Sequence, residues 1–389
     1  MENAEPEEPQ KKRPHLDHAE TARSSTFPIN NKSGMGKKMC PYLSRDILWD
    51  ILFRLPFKSL VRFKCVSKTW NSAINDPWFV KSHHQKQSTK GNNKIVITKG
   101  RRLFLADIES LDVEEFIDFP SELQLRGSYN GLICLTDRSE SEIILWNLLT
   151  EDPNYIKPVS LQQDRSRYSY QGSVYGFGYD SNNDDYKVVR FSTFFYISRG
   201  ITPNAWVYSL RKSAWKEIEI PPTFDFIRAR NGVFSSGALH WLGESFLDNR
   251  KFIFAVDLQT DIFRKVPLPD SLVGLKTSLD IGVLGGCLSV TSLLPQHGIW
   301  VMKHYMLKES WTNLFSILAY KIARPISYSR DAKKVLLQEE GNMPYWYDLE
   351  KQKFSKLGIC GLGWGYCVVE NYLETLVSPS GYGAQEKLH

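Results

Sequence analysis

The feature that most restricts the fold of this sequence is a phrase repeated along its second half. An apolar run leads into a small polar turn, and an aromatic residue then opens the returning run. The phrase spans Trp206–Trp215, Phe254–Phe263, Met302–Trp311 and Tyr345–Phe354, with closing aromatics 48, 48 and 43 residues apart. Looser versions stand earlier, at Leu145–Pro153 and Leu103–Asp107. Around them short stretches rich in Val, Ile and aromatics alternate, as at 94–98, 131–136, 142–147, 186–191 and 333–338, bounded by Gly, Asn, Asp, Ser and Pro. That is the pattern of short strands, with few helical windows between. A period in the forties with several strands per copy is the signature of propeller blades, and residues 94–378 have room for about six. The aromatic share of 13% suits such a ring, because large side chains fill the wedge-shaped space between neighbouring sheets. Two stacked β domains are the competing arrangement.

The other end of the chain reads differently. Residues 1–90 carry 16 Lys and Arg against 9 Asp and Glu, whereas 91–389 carry 33 against 34, so the net charge of +6 belongs to one end. Residues 1–38 hold only Leu16, Phe27 and Ile29 for burial, too few to offset the ordering of a backbone, and are expected to form a disordered leader. Within it Lys11-Lys12-Arg13-Pro14 is either a short nuclear-import signal or a solvated charge run. From 39 to 87 the spacing turns helical. Ser44 caps a helix carrying Ile47, Leu48, Ile51, Leu52 and Leu55, and Pro56 stops it because proline cannot continue the hydrogen-bond ladder. A second helix is expected near Ser59–Val66. Ser67 caps a third with Trp70 on one side, and Asp76-Pro77 opens a fourth. So short a unit cannot enclose all its large apolar side chains, which leaves some to be covered by a partner or by the rest of the chain.

Six scattered cysteines and a start without an apolar run point to free thiols in a reducing compartment, cytoplasm or nucleus. No metal-ligand spacing occurs, since Cys360 and Cys367 have no second pair or clustered histidines. The charge-free stretch Ile281–Met302 is broken by Gly285-Gly286 and Pro295, which marks buried strands and a turn rather than a membrane helix.

The run from Leu43 through Leu55-Pro56 to Trp70, followed by Asp76-Pro77-Trp78-Phe79, closely resembles the F-box of plant F-box proteins. The resemblance implies docking on a Skp-family adaptor and, through it, on a cullin, by a face comprising Leu43, Ile47, Leu48, Ile51, Leu52, Leu55, Pro56, Leu60, Phe63 and Val66. Ser44 stands where the family usually has proline. The basic residues Arg45, Arg54, Lys58, Arg62, Lys64, Lys68, Lys81 and Lys86 would then steer an acidic adaptor; no recognition helix or RNA-binding aromatic signature argues for nucleic acid. Tyr129–Leu135, Tyr175–Asp180, Asp185–Val189, Gly237–Trp241, Ile299–Lys303 and Tyr372–Pro379 resemble, in order, the F-box-associated interaction domain, a kelch-like propeller without the kelch glycine pairs. The expected organisation is mixed, mainly β: a leader (1–38), a three- or four-helix F-box (39–87), a β-propeller-like target-binding domain (88–378) and a flexible tail (379–389).

There is no Gly-x-Ser-x-Gly, His-Glu-x-x-His or P-loop. Gly361–Gly365 lacks the last glycine of a dinucleotide loop. Asp184-Asp185 sits in an Asn-rich turn where carboxylates cap backbone, and His240 beside Trp241 reads as a packed histidine. No cofactor is implied. The tracts 160–170 and 194–204 lengthen one repeat, and as surface loops they would present Arg165, Arg167, Tyr168, Tyr170, Phe195, Tyr196 and Arg199, residue types frequent at binding hot spots. Together these features point to a non-catalytic subunit of a Skp–cullin–F-box ubiquitin ligase that recruits an unidentified target protein. The alternative is a free-standing propeller enzyme or carbohydrate-binding protein that dimerises through its helices.

Overall fold

The computed structural model describes residues 44–88, 94–110, 112–160, 168–196, 200–221, 230–244, 250–275, 278–292, 298–315, 323–339, 341–356 and 366–382. The expected leader therefore lies outside the described residues. Contacts divide the chain into two compact units, 1–48 and 49–389, so the boundary falls inside the first helix. The first unit contributes only Ser44 and the opening turn of that helix to the described residues.

Four helices come first: α1 (Arg45–Phe53), α2 (Phe57–Phe63), α3 (Lys68–Ile74) and α4 (Pro77–Ser88). Their starts follow the local chemistry. Ser44 Oγ accepts from Ile47 N, and Ser67 Oγ from Trp70 N at 3.2 Å. Asp76 Oδ1 accepts from Trp78 N and Phe79 N, with Pro77 at the first helical position. The second helix begins two residues earlier than its spacing predicts. Pro56 ends one helix but lends its carbonyl to Ser59 N and Leu60 N, so the residue that stops α1 also starts α2.

The strands follow as β1 (Lys94–Lys99), β2 (Arg102–Asp107), β3 (Val113–Asp118), β4 (Leu123–Tyr129), β5 (Leu132–Asp137), β6 (Ile143–Asn147), β7 (Asp152–Ile156) and β8 (Tyr168–Asp180). Next come β9 (Asp185–Tyr196), β10 (Gly200–Ser209), β11 (Ala214–Ile218), β12 (Val233–Ser235), β13 (Ala238–Glu244), β14 (Lys251–Asp257), β15 (Ile262–Val266) and β16 (Leu279–Leu284). The last are β17 (Cys287–Ser292), β18 (Ile299–Met302), β19 (Trp311–Phe315), β20 (Ala323–Tyr328), β21 (Lys334–Glu339), β22 (Tyr345–Asp348), β23 (Lys353–Lys356) and β24 (Val368–Tyr372). They form six four-stranded antiparallel sheets, the blades of a propeller. Five blades are built from consecutive strands. The first has the order β24-β1-β2-β3, so the last of the described strands becomes the innermost strand of the first blade.

The repeated sequence phrase is the hairpin between the third and fourth strands of each blade. A polar residue at or near the end of the third strand accepts from the turn's own backbone: Asp107 Oδ1 from Glu109 N, Asn147 Oδ1 from Leu149 N, Ser209 Oγ from Lys212 N, Asp257 Oδ1 from Gln259 N and Asp348 Oδ1 from Glu350 N. These side chains close the turn as an Asx- or Ser-turn does. In four of the hairpins the turn's last residue, Glu151, Ser213, Asp261 or Gln352, takes a positive φ between 50° and 57°.

A second periodicity lies at the axis. The inner strands crowd where blades converge, and Gly127, Gly176, Gly178, Gly232 and Gly282 leave room for neighbours. A Cβ on Gly232 would lie 2.4 Å from the Trp241 ring, and one on Gly176 2.7 Å from it. Trp241 is itself buried, at right angles to Phe191 and stacked on Phe254. Blade 3 departs from expectation. Of the tracts read as loops at 160–170 and 194–204, the described strand residues 168–170, 194–196 and 200–204 continue the ladder, with Tyr168 opposite Tyr196 and Thr202 opposite Phe194. Alternating Tyr, Phe and Thr favour pairing over an irregular loop, so the blade is taller instead of being interrupted.

The tail also departs from expectation over its described part. Pro379–Gly381 forms a short 3-10 turn, and Tyr382 packs edge-on against Tyr186 at 5.3 Å. Ser378 Oγ donates to Asp152 Oδ2, and Asn147 Nδ2 donates to the carbonyls of Thr375 and Val377. Residues 373–382 are thus a strap across the ring.

Replacing Trp241 with Ala removes the side chain that two glycines were shaped around and is expected to cost about 3–5 kcal/mol. Gly232→Ala, which overfills the same place, is expected to cost about 1–3 kcal/mol. Thermal or denaturant melting of the two variants against the parent checks both figures.

Candidate docking surfaces

The helical segment of the second unit is organised by aromatic side chains. Phe53 and Phe79 lie with centroids 4.7 Å apart, Phe57 meets His83 edge-on at 4.7 Å, and Trp49 lies 4.9 Å from Trp78. His83 is fully buried and donates through Nε2 to the Leu55 carbonyl at 3.0 Å, which ties α4 to the residues just after α1. With this interior filled, the residues expected to meet an adaptor separate into groups. Ile47, Ile51, Pro56 and Val66 are exposed, Val66 at 58%. Leu55 and Phe63 are half-buried, Phe63 edge-on to Trp70 at 5.4 Å. Leu48, Leu52 and Leu60 are buried, so these three are interior in the isolated chain rather than surface. Leu43 lies outside the described residues. Trp78, which the expected face does not include, is 60% exposed. The signal was present in Trp78-Phe79: adjacent helical residues point about 100° apart, and Phe79 takes the inward direction.

The basic residues correct a further expectation. Several of those assigned to steering a partner are engaged within the chain. Arg54 pairs with Asp50 one turn earlier at 2.6 Å. Lys58 reaches Glu114 of β3 at 3.1 Å, and Lys94 of β1 joins Glu114 at 2.5 Å and Glu374 of the strap at 2.7 Å. Lys81 of α4 pairs at 2.7 Å with Asp184, in the turn between β8 and β9. The carboxylate of Asp184 therefore does not cap its own turn. Asp180 does that, accepting from the amides of Asn182 and Asn183, while Asp184 also accepts from Tyr179 and Tyr382. Lys58 and Lys81 thus brace α2 and α4 against blades 1 and 3, on the side of the ring that carries the first–second and third–fourth strand turns. Burial alone would raise both Glu114 and Asp184, but Lys94 and Lys58 in one case, and Lys81 and Tyr179 in the other, hold each below the ordinary carboxylate value.

The opposite side carries the second–third turns and the tall end of blade 3. There Tyr170 is partly exposed and donates to Glu140. Glu140 also faces Arg126 Nη2 at 3.2 Å and Arg190 Nη2 at 3.6 Å, both arginines being buried. Two guanidinium groups thus share one carboxylate, and Arg126 lies 4.6 Å from the Tyr175 ring centroid. Of the residues expected to touch a target, Arg165, Arg167 and Arg199 lie outside the described residues. Tyr168, Phe195 and Tyr196 are placed in β8 and β9 by their backbone only, and Tyr170 is the one with a described side chain.

His240 is the packed histidine its sequence setting implied. It is fully buried between the Val233 carbonyl and the Tyr305 hydroxyl, and burial pulls its pKa down to about 4. Gly361–Gly365 lies outside the described residues. Among the described residues no helix is long and apolar enough to cross a membrane, and no group of three or more His, Cys, Asp or Glu is placed to hold a metal ion.

A small helical segment braced on one face of a six-bladed ring defines the class: a docking module joined to a recognition propeller. Residues 41–82 match the F-box domain and residues 104–377 the F-box associated beta propeller domain. The chain belongs to the F-box proteins that carry this propeller. It is 34% identical over 350 residues to the F-box protein CPR1 of Arabidopsis thaliana, covering 81% of this chain and 84% of that one. It is 28% identical over 365 residues to the F-box/kelch-repeat protein At3g23880 of the same plant, covering 87% and 96%.

Lys94→Met removes the buried cation that Glu114 and Glu374 share and is expected to destabilise by about 3–5 kcal/mol, read from denaturant melting. Acid should act through Glu114 and Asp184. Their folded pKa values are depressed, so the stability they give is present above their unfolded values near 4 and is lost as pH falls through the folded ones. The melting temperature of the parent is expected to fall more steeply below about pH 4 than that of a Glu114→Gln/Asp184→Asn variant, measured by calorimetry across that range.

Proposed function

We propose that the chain is the target-recruiting subunit of a Skp–cullin–F-box ubiquitin ligase and has no active site of its own. Its helical segment grips a Skp-family adaptor, the cullin is reached through that adaptor, and the propeller holds a target protein. The observation that carries this reading is large apolar surface left open on the helices while their basic side chains brace the ring. Ile51, Pro56, Val66 and Trp78 offer an adaptor what a small unit cannot bury by itself. Ubiquitin transfer then follows from proximity, since a held lysine reacts at a raised effective concentration. A rigid link between the two ends is part of the proposal. The pairs Lys58–Glu114 and Lys81–Asp184 supply it, and they lie away from the side carrying Tyr170, where the target is proposed to sit, its binding leading to degradation.

Copurification with a Skp-family adaptor tests the reading. Ile51→Asp is expected to lower adaptor affinity by at least roughly thirtyfold, the effect of a hot spot worth about 2 kcal/mol, with an unchanged melting temperature. If it, or the Leu55→Ala/Pro56→Ala variant, captures as much adaptor as the parent, the ligase reading is overturned.

A further inference from the structure

Where the brace meets the strap, the second unit encloses a cavity of about 520 Å³. Its walls come from the helices, from blades 2 and 3 and from the strap, with Val80, Leu376, Val377 and the rings of Tyr179 and Tyr382 as the apolar part and charged and polar side chains as the rest. The size falls within the range of small-molecule sites.

The polar groups leave one positive charge unmatched. Lys64, Lys81 and Arg211 line the cavity against two carboxylates, Asp152 and Asp184. Asp184 is taken by Lys81 and by the Tyr179 and Tyr382 hydroxyls. Asp152 accepts from both Ser378 and Ser380. Arg211 is turned to the Asn183 carbonyl at 3.0 Å. The Lys64 ammonium makes no hydrogen bond or ion pair among the described residues. Burial lowers the pKa of its ammonium, and Asp152 is the only charge acting in the other direction. His84 lines the cavity with its ring engaged by the Asn130 side chain, and burial lowers its pKa. A half-open site with three cationic side chains against two carboxylates, one ammonium without a hydrogen bond and tyrosine rings in its wall suits a small molecule with one negative charge and a flat apolar body.

We propose that this cavity binds a small organic carboxylate, with the carboxylate on Lys64 and the ring of the ligand between Val80 and Tyr382. Such a ligand touches the helices, the ring and the strap at once, so occupancy stiffens the junction of docking module and propeller. The inference does not rest on the ligase reading, because the cavity is formed by this chain alone.

Benzoate and benzamide, which share a shape and differ in charge, are the probes. The full chain, copurified with an adaptor where it needs one, is titrated with each by calorimetry, with melting followed in parallel. Saturable benzoate binding that raises the melting temperature is expected, with benzamide at least roughly tenfold weaker. Lys64→Met should abolish benzoate binding, and Lys64→Arg should keep it within a few fold. Benzoate binding is read on the chain itself and adaptor capture on the Ile51→Asp variant, so this inference and the ligase reading fail separately. Equal binding of benzoate and benzamide, benzoate binding that survives Lys64→Met, or no saturable benzoate binding to the parent overturns the proposal. Melting of Lys64→Arg at the parental temperature guards against a loss that merely reports misfolding.

Discussion

The pairing of β24 with β1 is the interaction on which the rest depends. Five blades can form from neighbouring strands, but each must bury a face against the next, and the series ends only when the last strand supplies the inner edge of the first sheet. Lys94 stands opposite Tyr372 in that ladder, and the same lysine meets Glu114 and Glu374. Closure of the ring and attachment of the helices therefore share a residue. The strap that leaves β24 then crosses blade 2 and reaches blade 3, where Tyr382 joins Asp184 and through it Lys81. One segment completes the propeller and underlies the docking module.

Much of this was legible because it recurs. The hairpin phrase located the third and fourth strands, since a polar residue that closes a turn and an aromatic that opens a strand are both local requirements. The helix starts at Ser67 and Asp76-Pro77 were legible for the same reason: one side chain and one amide decide them. A second repeat passed unnoticed. Gly127, Gly176, Gly232 and Gly282 are about fifty residues apart, which is the blade period seen from the axis, but a glycine chosen for closeness to a neighbour looks in sequence like one chosen for a turn.

What the sequence hid depends on partners far along the chain. Lys58 and Lys81 are indistinguishable by pattern from Arg62 or Lys68, which remain on the surface; only the fold brings Glu114 and Asp184 beneath them. Leu48 and Leu52 share the helical spacing of Ile51, yet two are interior and one is exposed, because the faces of a short helix are allotted by what packs on it. The tall strands of blade 3 look like loops in the sequence because polar Ser, Thr and Asn interrupt the apolar rhythm, although the ladder needs only backbone groups.

A ring sealed by its last-made strand has an order of assembly built in. During synthesis the helices emerge first and the blades follow, but the first blade waits with an open inner edge until β24 exists. An unfinished copy thus carries a finished handle and an unsealed, sticky sheet, and it lacks the strap that underlies that handle. The fold separates complete from incomplete copies by architecture alone, before any partner has been met.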